Sequence, residues 1–277
     1  MAISNQFNIV IPVYNSPDEL RECLQSVVSQ TYTNWQACVV DDASTDNTFD
    51  VAVSFSQRYK NITAVRNNSR KYMLYNRILA SIILNSKNED IIVSLDGDDE
   101  FYNEQALSIL NRYYQDEKVW VTWGSFWDIA RKEKGRESQP FDFSIPIRDI
   151  WCFSQLRTLK FFVMKNIPCE YLQFTTGEYY PICTDVAMMY PAIDMSGRDH
   201  CKYISEILYT YKNEVLFEGK TIPKYRSYSA ETKKLKSEII SEIKTKKPLL
   251  NMDKEILCSR DSHPFAANLS DRCWENK

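Results

Sequence analysis

Glycine and histidine are scarce in this 277-residue chain, with six of the first and two of the second. The glycines stand at 97, 124, 135, 177, 197 and 219, too far apart for a G-x-G-x-x-G dinucleotide fingerprint or a G-x-x-x-x-G-K phosphate loop. His200 and His263 are distant in sequence and neither lies in an H-E-x-x-H setting. That disfavours a histidine-rich zinc site and leaves a histidine triad two candidate bases. The eight cysteines include no C-x-x-C pair, and several sit in apolar stretches. They read as free thiols of a reducing compartment rather than a disulfide framework. No basic segment followed by an apolar one opens the sequence, and no apolar run nears the roughly 18 residues of a membrane span. The expectation is a cytoplasmic protein whose chemistry rests on carboxylates and hydroxyls.

An excess of one charge sign is also lacking. A net charge of -3 with 26% charged residues makes no general basic field, so nucleic acid is not an expected partner. What is present in quantity is apolar and aromatic surface. At 44% and 13% of residues these suffice for a sizeable core in one large α/β domain, or one domain with an elaborated tail.

The first hundred residues alternate β-rich runs with helical patterns, as parallel β-α-β units do. Phe7 to Val13 reads as a buried strand. Ser16-Pro17-Asp18-Glu19 reads as a capping box opening a helix to about Gln30. A second strand, Trp35 to Val40, ends in Asp41-Asp42-Ala43-Ser44-Thr45-Asp46, with Ser44 or Thr45 expected to cap the next helix. A third strand near Ile62 to Val65 and a helix from about Lys71 to Ser86 follow. The fourth strand, Ile91 to Leu95, runs straight into Asp96-Gly97-Asp98-Asp99. Two acidic clusters therefore end two parallel strands, where open α/β sheets place their ligands. Further on, the pattern predicts a helix near Glu104 to Tyr114, a strand over Val119 to Trp123, and an aromatic-rich helix over Trp151 to Lys165. It closes with a helix from Thr184, a strand over Tyr203 to Tyr211 and a lysine-rich amphipathic helix over Ser229 to Lys246.

Asp96 and Asp98, separated by Gly97, can aim oxygens at one hard divalent cation and leave other coordination positions to a substrate phosphate. Crowded carboxylates repel one another, and a cation relieves that. An acidic turn before a helix and a surface calcium loop stand beside this reading. An EF-hand beginning at Asp96 fails, because Phe101 and Leu107 stand where glycine and glutamate are needed.

Asn8 to Asn15, Ser29-Gln30-Thr31-Tyr32, Val40 to Asp46 and Ser94 to Asp99 closely resemble, in order and spacing, the family 2 glycosyltransferases of the GT-A fold. These motifs cover about the first 125 residues; Thr184-Asp185, Met195-Ser196-Gly197 and Ile207-Leu208-Tyr209 carry the match to about residue 211. The resemblance implies an α/β fold with a Rossmann-like, mostly parallel sheet flanked by helices. Residues 1–211 would form the catalytic domain, 1–125 its nucleotide-sugar half and 126–211 its acceptor half, with 212–277 a lysine-rich, partly helical extension. It further implies a non-processive, inverting transferase using Mn2+ or Mg2+ and a nucleotide-sugar donor, UDP foremost. The acceptor would be a glycan, glycolipid or protein-linked sugar.

Carried over position by position, the resemblance puts Pro12, Tyr14 and Asn15 against the nucleoside and Asp42, with Asp41 beside it, on the base. Asp96, Gly97 and Asp98 correspond to the D-x-D motif on ribose, diphosphate and metal, with Asp98 the direct ligand and Asp99 a further one. Asp185 corresponds to the catalytic base, although Thr184 stands where many members have glutamate; an ordinary carboxylate at a helix start is the other reading. The family's Ala-Arg-Asn of the third helix reads Leu74-Tyr75-Asn76, so Asn76 matches and the preceding arginine is absent, leaving Arg70 or Lys71 as substitutes.

Among the aromatics beyond the acidic motif, Trp123 and Trp151 are candidates to line an acceptor groove, against the plainer reading of core packing. Arg157 is a candidate contact to phosphate or acceptor, or a structural ion pair. His263 is a candidate for the metal shell or a surface histidine. The lysines of the extension suit a solvated helix face, or peripheral contact with an anionic membrane. Nothing in the sequence sets an oligomeric state. A nucleotidyltransferase, and a nucleotide-sugar- or glycan-binding module without catalysis, are the competing functions.

Overall fold

Strands β1 (Phe7–Val13), β2 (Trp35–Asp41), β3 (Ile62–Asn67) and β4 (Ile91–Ser94) lie parallel, with β1 between β2 and β4. The computed structural model describes residues 3–135, 139–212, 214–217, 220–223, 228–259 and 274–276. Every residue of β1 is buried, as expected of a strand covered on both faces. Alternate side chains supply two separate layers. Phe7, Ile9, Ile11 and Val13 pack with Leu20, Leu24 and Val27 of helix α1 (Pro17–Val28), with Val51 and Ala52 of α2 (Thr48–Arg58) and with Leu107 and Leu110 of α4 (Ala106–Tyr113). Val10, Cys38, Val40 and Ile92 face the other way, onto Leu74 and Ile78 of α3 (Tyr72–Ile83) and Ile193 of α6 (Thr184–Ser196).

The second half extends this sheet by antiparallel pairing. Strand β8 (Ser154–Lys160) lies between β4 and β6 (Val121–Asp128), and β9 (Cys201–Tyr211) runs parallel to β6 on its far side. Short strand β5 (Glu100–Phe101) pairs with β9, and β7 (Glu133–Lys134) with β6. A four-residue helix α5 (Phe161–Met164) follows β8 directly. This is the α/β class expected, but β8 corrects the helix read over Trp151 to Lys165. All seven residues of β8 are buried, so no polar face marks either period, and Gln, Leu, Arg and Lys are good helix formers that tertiary context overrides.

Two caps also differ from expectation. The Ser16 hydroxyl donates to the Tyr14 carbonyl instead of capping α1, while its amide donates to Thr48 Oγ1. For α2, Asp46 Oδ1 accepts from the Thr48 amide at 3.0 Å, and Ser44 and Thr45 are taken up by Asn15.

Beyond β9 come a hairpin, β10 (Glu214–Phe217) with β11 (Lys220–Pro223), then α7 (Ala230–Thr245), α8 (Lys254–Ser259) and β12 (Trp274–Asn276). Ser229 Oγ accepts from the Thr232 amide and caps α7, whose lysines 233, 234, 236 and 244 are exposed while Ile239 and Ile243 are buried. Those isoleucines and Leu257 of α8 belong to the same layer as α3 and α6, and β12 adds antiparallel to β3. The extension therefore packs on the sheet of the N-terminal half. Among the described residues no helix is long and apolar enough to cross a membrane, and the seven described cysteines are all free.

Candidate active site

The carboxyl ends of β1, β2 and β4 converge, and the loops leaving them are stitched together by side chains. Asn15 sits in the left-handed region at φ 47°, its amide donating to Ser44 Oγ at 2.9 Å and its Oδ1 accepting from the Thr45 amide at 2.8 Å. Buried Pro12 accepts through its carbonyl from the Gly97 amide at 3.1 Å. Glycine is needed at 97 for this approach rather than for an unusual φ, since a Cβ there would lie 2.7 Å from Val13 Cβ and 3.0 Å from the Pro12 oxygen.

Asp41 and Asp42 point to different tasks. Asp41 is fully buried, accepts from the Ser44 amide at 3.1 Å and pairs with Arg66 at 3.2 Å; burial pushes its carboxyl up. Asp42 organises the loop after β3. It accepts from the Lys71 amide at 2.7 Å, the Tyr72 amide at 3.0 Å, Asn67 Nδ2 at 3.0 Å and Arg70 Nε at 2.9 Å. Both Asp42 oxygens are thus engaged by the protein, and Arg70 also lies 3.5 Å over the ring of Tyr14, which is exposed. Asn76 is buried in α3 and accepts from Asn67 Nδ2 at 2.7 Å.

Burial opposes ionisation of Asp42, but these donors, led by the Lys71 amide, outweigh it and hold the carboxyl below its usual range. Its folded pKa is therefore below its unfolded one. The stabilisation is complete above the ordinary carboxylate pKa of about 4 and is lost as pH falls through the folded value. Denaturant titrations across acid pH are expected to show this loss, with a flatter dependence in Asp42→Asn; an unchanged slope in that variant would refute the assignment.

The turn after β4 distributes its three carboxylates unequally. Asp96 accepts from Arg77 Nη2 at 2.5 Å and from Gln155 Nε2 at 3.4 Å. Asp99 is turned into the interior, accepting from the Tyr209 hydroxyl at 2.6 Å and the Lys212 amide at 2.8 Å. Burial, then the charges of Asp98 and Asp96, push its carboxyl well up. Each oxygen of Asp96 and Asp99 accepts a hydrogen bond, which orients both carboxylates towards the interior. Asp98 is the least enclosed of the three. Among the described residues no group of three or more His, Cys, Asp and Glu could hold a metal. A hard cation bound at this carboxylate turn would therefore need substrate oxygens and water to complete its shell, because the described residues offer no cage of ligands there. His263 lies outside the described residues.

Asp185 stands in the first turn of α6, and Arg157 Nη1 approaches its Oδ2 to 3.7 Å. Arg157 reaches this position because β8 runs antiparallel beside β4, with Arg157 opposite Ser94. An ion pair, one of its two expected roles, is present here. Thr184 accepts from Arg77 Nη1 at 2.8 Å, so the Asp96 turn and the start of α6 share one arginine. Arg77, directly after Asn76, was not among the expected residues; a lone arginine between Leu74 and Ile78 on an apolar helix face is the sequence signal that marks it.

The acceptor aromatics need correction. Trp123 is only 1% exposed, edge-on to Phe153 at 5.0 Å, with its indole N–H donating to the Gln139 carbonyl. Its ring faces are taken by the core, so it lines no groove. Trp151 is half-buried against Phe153 and Tyr190. Tyr102, three residues past Asp99, is exposed and 6.3 Å from Trp127 and was not among the expected aromatics.

Comparison with known proteins places this geometry. The chain is 34% identical over 116 residues to the putative glycosyltransferase EpsE of Bacillus subtilis, covering 39% of this chain and 40% of that protein. It spans 40% of the length of each of two curated relatives, EpsE and the uncharacterized glycosyltransferase YibD of Escherichia coli. Residues 1-349 of S. aureus TarS, solved in complex with UDP-GlcNAc, superpose with a TM-score of 0.62 at 14% identity, covering 91% of this chain and 69% of that one. The mannosyltransferase PcManGT of Pyrobaculum calidifontis, in complex with GDP-Man and Mn2+, superposes with a TM-score of 0.53 at 17% identity, covering 75% and 57%. At these identities the likeness establishes the fold. The sequence profile of the glycosyl transferase family 2 matches residues 8–183, and the chain belongs to that family.

Proposed function

We propose that the protein transfers a sugar, with inversion, from a nucleotide-diphosphate sugar to an acceptor hydroxyl on a glycan or glycoconjugate, with UDP as the nucleotide. The observation that carries this reading is the shared contact of Arg77, which joins the Asp96 turn to the helix start bearing Asp185. It brings a candidate diphosphate site and a candidate base to one place. The UDP-GlcNAc held by TarS supports the choice of UDP.

The chain's own groups divide the task. Tyr14, Asn15 and the loop organised by Asp42 would border the nucleoside, with Asp96 towards the ribose. Asp98 would anchor Mn2+ or Mg2+, as a divalent ion accompanies the donor in PcManGT. When bound, that ion supplies positive charge against the diphosphate leaving group. Asp185 would accept the proton of the acceptor hydroxyl as it attacks the anomeric carbon, and Arg157 would fix the carboxylate's orientation. Trp151 would flank the acceptor.

Incubation with a panel of nucleotide sugars and Mn2+ tests the whole reading. Slow release of free nucleotide from one donor is expected, because transfer to water accompanies transfer to an acceptor. Absence of release and of cation-dependent nucleotide binding across the panel would overturn it.

A further inference from the structure

Arg77 occupies the junction between the groups proposed to serve the donor and the acceptor. Its side chain is 2% exposed, on a helix whose neighbouring positions Leu74 and Ile78 are core residues. One terminal nitrogen meets Asp96 Oδ1 at 2.5 Å and the other donates to Thr184 Oγ1 at 2.8 Å. Its Nε is buried with no hydrogen-bond partner.

Stability alone is a poor account of such a residue. Buried ion pairs replaced by well-packed apolar side chains are often neutral or stabilising, and an unsatisfied donor adds to the cost. What the guanidinium offers is geometry: a rigid planar fork that addresses two acceptors at a set separation, which a lysine ammonium on a flexible stem does not reproduce. The bonding continues past Asp96. Gln155 Nε2 donates to Asp96 Oδ2 at 3.4 Å and to the Tyr209 hydroxyl at 3.3 Å, and Tyr209 donates to Asp99 at 2.6 Å. A continuous run of polar contacts thus crosses from the start of α6 through α3 and the acidic turn to β8 and β9.

We infer that Arg77 is a positioning residue that holds the Asp96 turn and, through Thr184, the helix start carrying Asp185 at one fixed separation, so that base and donor stay in register. The arginine and threonine act as a pair: threonine at 184, where a glutamate was the expectation, provides the neutral acceptor that the second nitrogen of Arg77 uses. This rests on the glycosyl-transfer reading above, because it assigns a purpose to the distance between two groups of that reaction.

Thr184→Val and Thr184→Ser decide it. Valine keeps the shape and deletes only the acceptor of the Arg77 bond; serine restores that acceptor. With the donor identified by the nucleotide-release panel, Thr184→Val is expected to lose about 10- to 100-fold in kcat, the scale of a small misplacement at a reacting centre. Donor KM and cation-dependent nucleotide binding should stay within about twofold, and Thr184→Ser should recover most of the lost kcat. Arg77→Lys should behave like Thr184→Val; should it fail to fold, the threonine pair still gives the answer. An unchanged kcat in folded Thr184→Val overturns the inference, as does a loss that serine does not recover. If the wild-type protein neither binds nucleotide nor turns over any donor, the underlying reading of function fails instead.

Discussion

Asp98→Ala is expected to abolish cation-dependent nucleotide binding and to lower donor turnover by about two to three orders of magnitude, the effect of removing one preorganised charge-stabilising group. The size follows from how the acidic turn is built. Asp96 is oriented by Arg77 and Gln155, and Asp99 by Tyr209 and the Lys212 amide, so both face the interior while Asp98 is the least enclosed. Titrating UDP against the variant with and without Mn2+, alongside turnover in chelator, measures both parts. Wild-type turnover in Asp98→Ala with chelator present would sink the cation's role. Asp99→Asn should behave differently: the amide keeps the size of the side chain, and its effect should appear in folding stability before nucleotide affinity.

The second large effect concerns Asp185. Asp185→Asn keeps the shape of the side chain and removes the proton acceptor, so kcat should fall by about 10²- to 10⁴-fold, the usual contribution of a positioned general base. Nucleotide binding should be unchanged, since the groups proposed to hold the nucleotide lie on the loops after β1, β2, β3 and β4, not on α6. Turnover with saturating donor, together with nucleotide affinity, separates the two quantities. A variant with normal turnover would leave Asp185 as no more than the partner of Arg157. The same variant tests the competing idea of a pure binding module, because a protein with no chemistry has no kcat to lose.

Half of the fold could be read directly. The strands at Phe7–Val13, Trp35–Asp41 and Ile91–Ser94 are short apolar runs, the last two ended by acidic clusters, and each boundary is set within a few residues by local composition. Strand Ser154–Lys160 could not be read that way. It is buried along its whole length by β4 on one edge and β6 on the other, and neither neighbour is close to it in sequence. A segment that is buried all round carries no periodicity, so propensity was the remaining guide and it pointed to helix.

The candidate site divides along the same line. The residue types at the strand ends, from Pro12 and Asn15 through Asp42 to Asp98, follow from sequence because a carboxylate placed just past a parallel strand lands at the sheet's ligand edge wherever the rest of the chain goes. How far each of those carboxylates is enclosed does not follow. Arg77 and Asp96 are 19 residues apart, Arg77 and Thr184 107 apart, and Tyr209 and Asp99 110 apart. Only packing of α3, α6 and β9 around the turn brings these partners within hydrogen-bond range and leaves Asp98 the most open. Trp123 makes the same point in apolar terms: its sequence position left a groove-lining ring and a core ring both open, and its neighbours Phe153 and Tyr203 help to bury it. The sequence by itself determined the parallel half of the sheet and the chemical character of its ligand edge, because both are local. Tertiary structure alone decided the pairing of charges and the burial of rings, because each depends on which distant side chains the fold brings together.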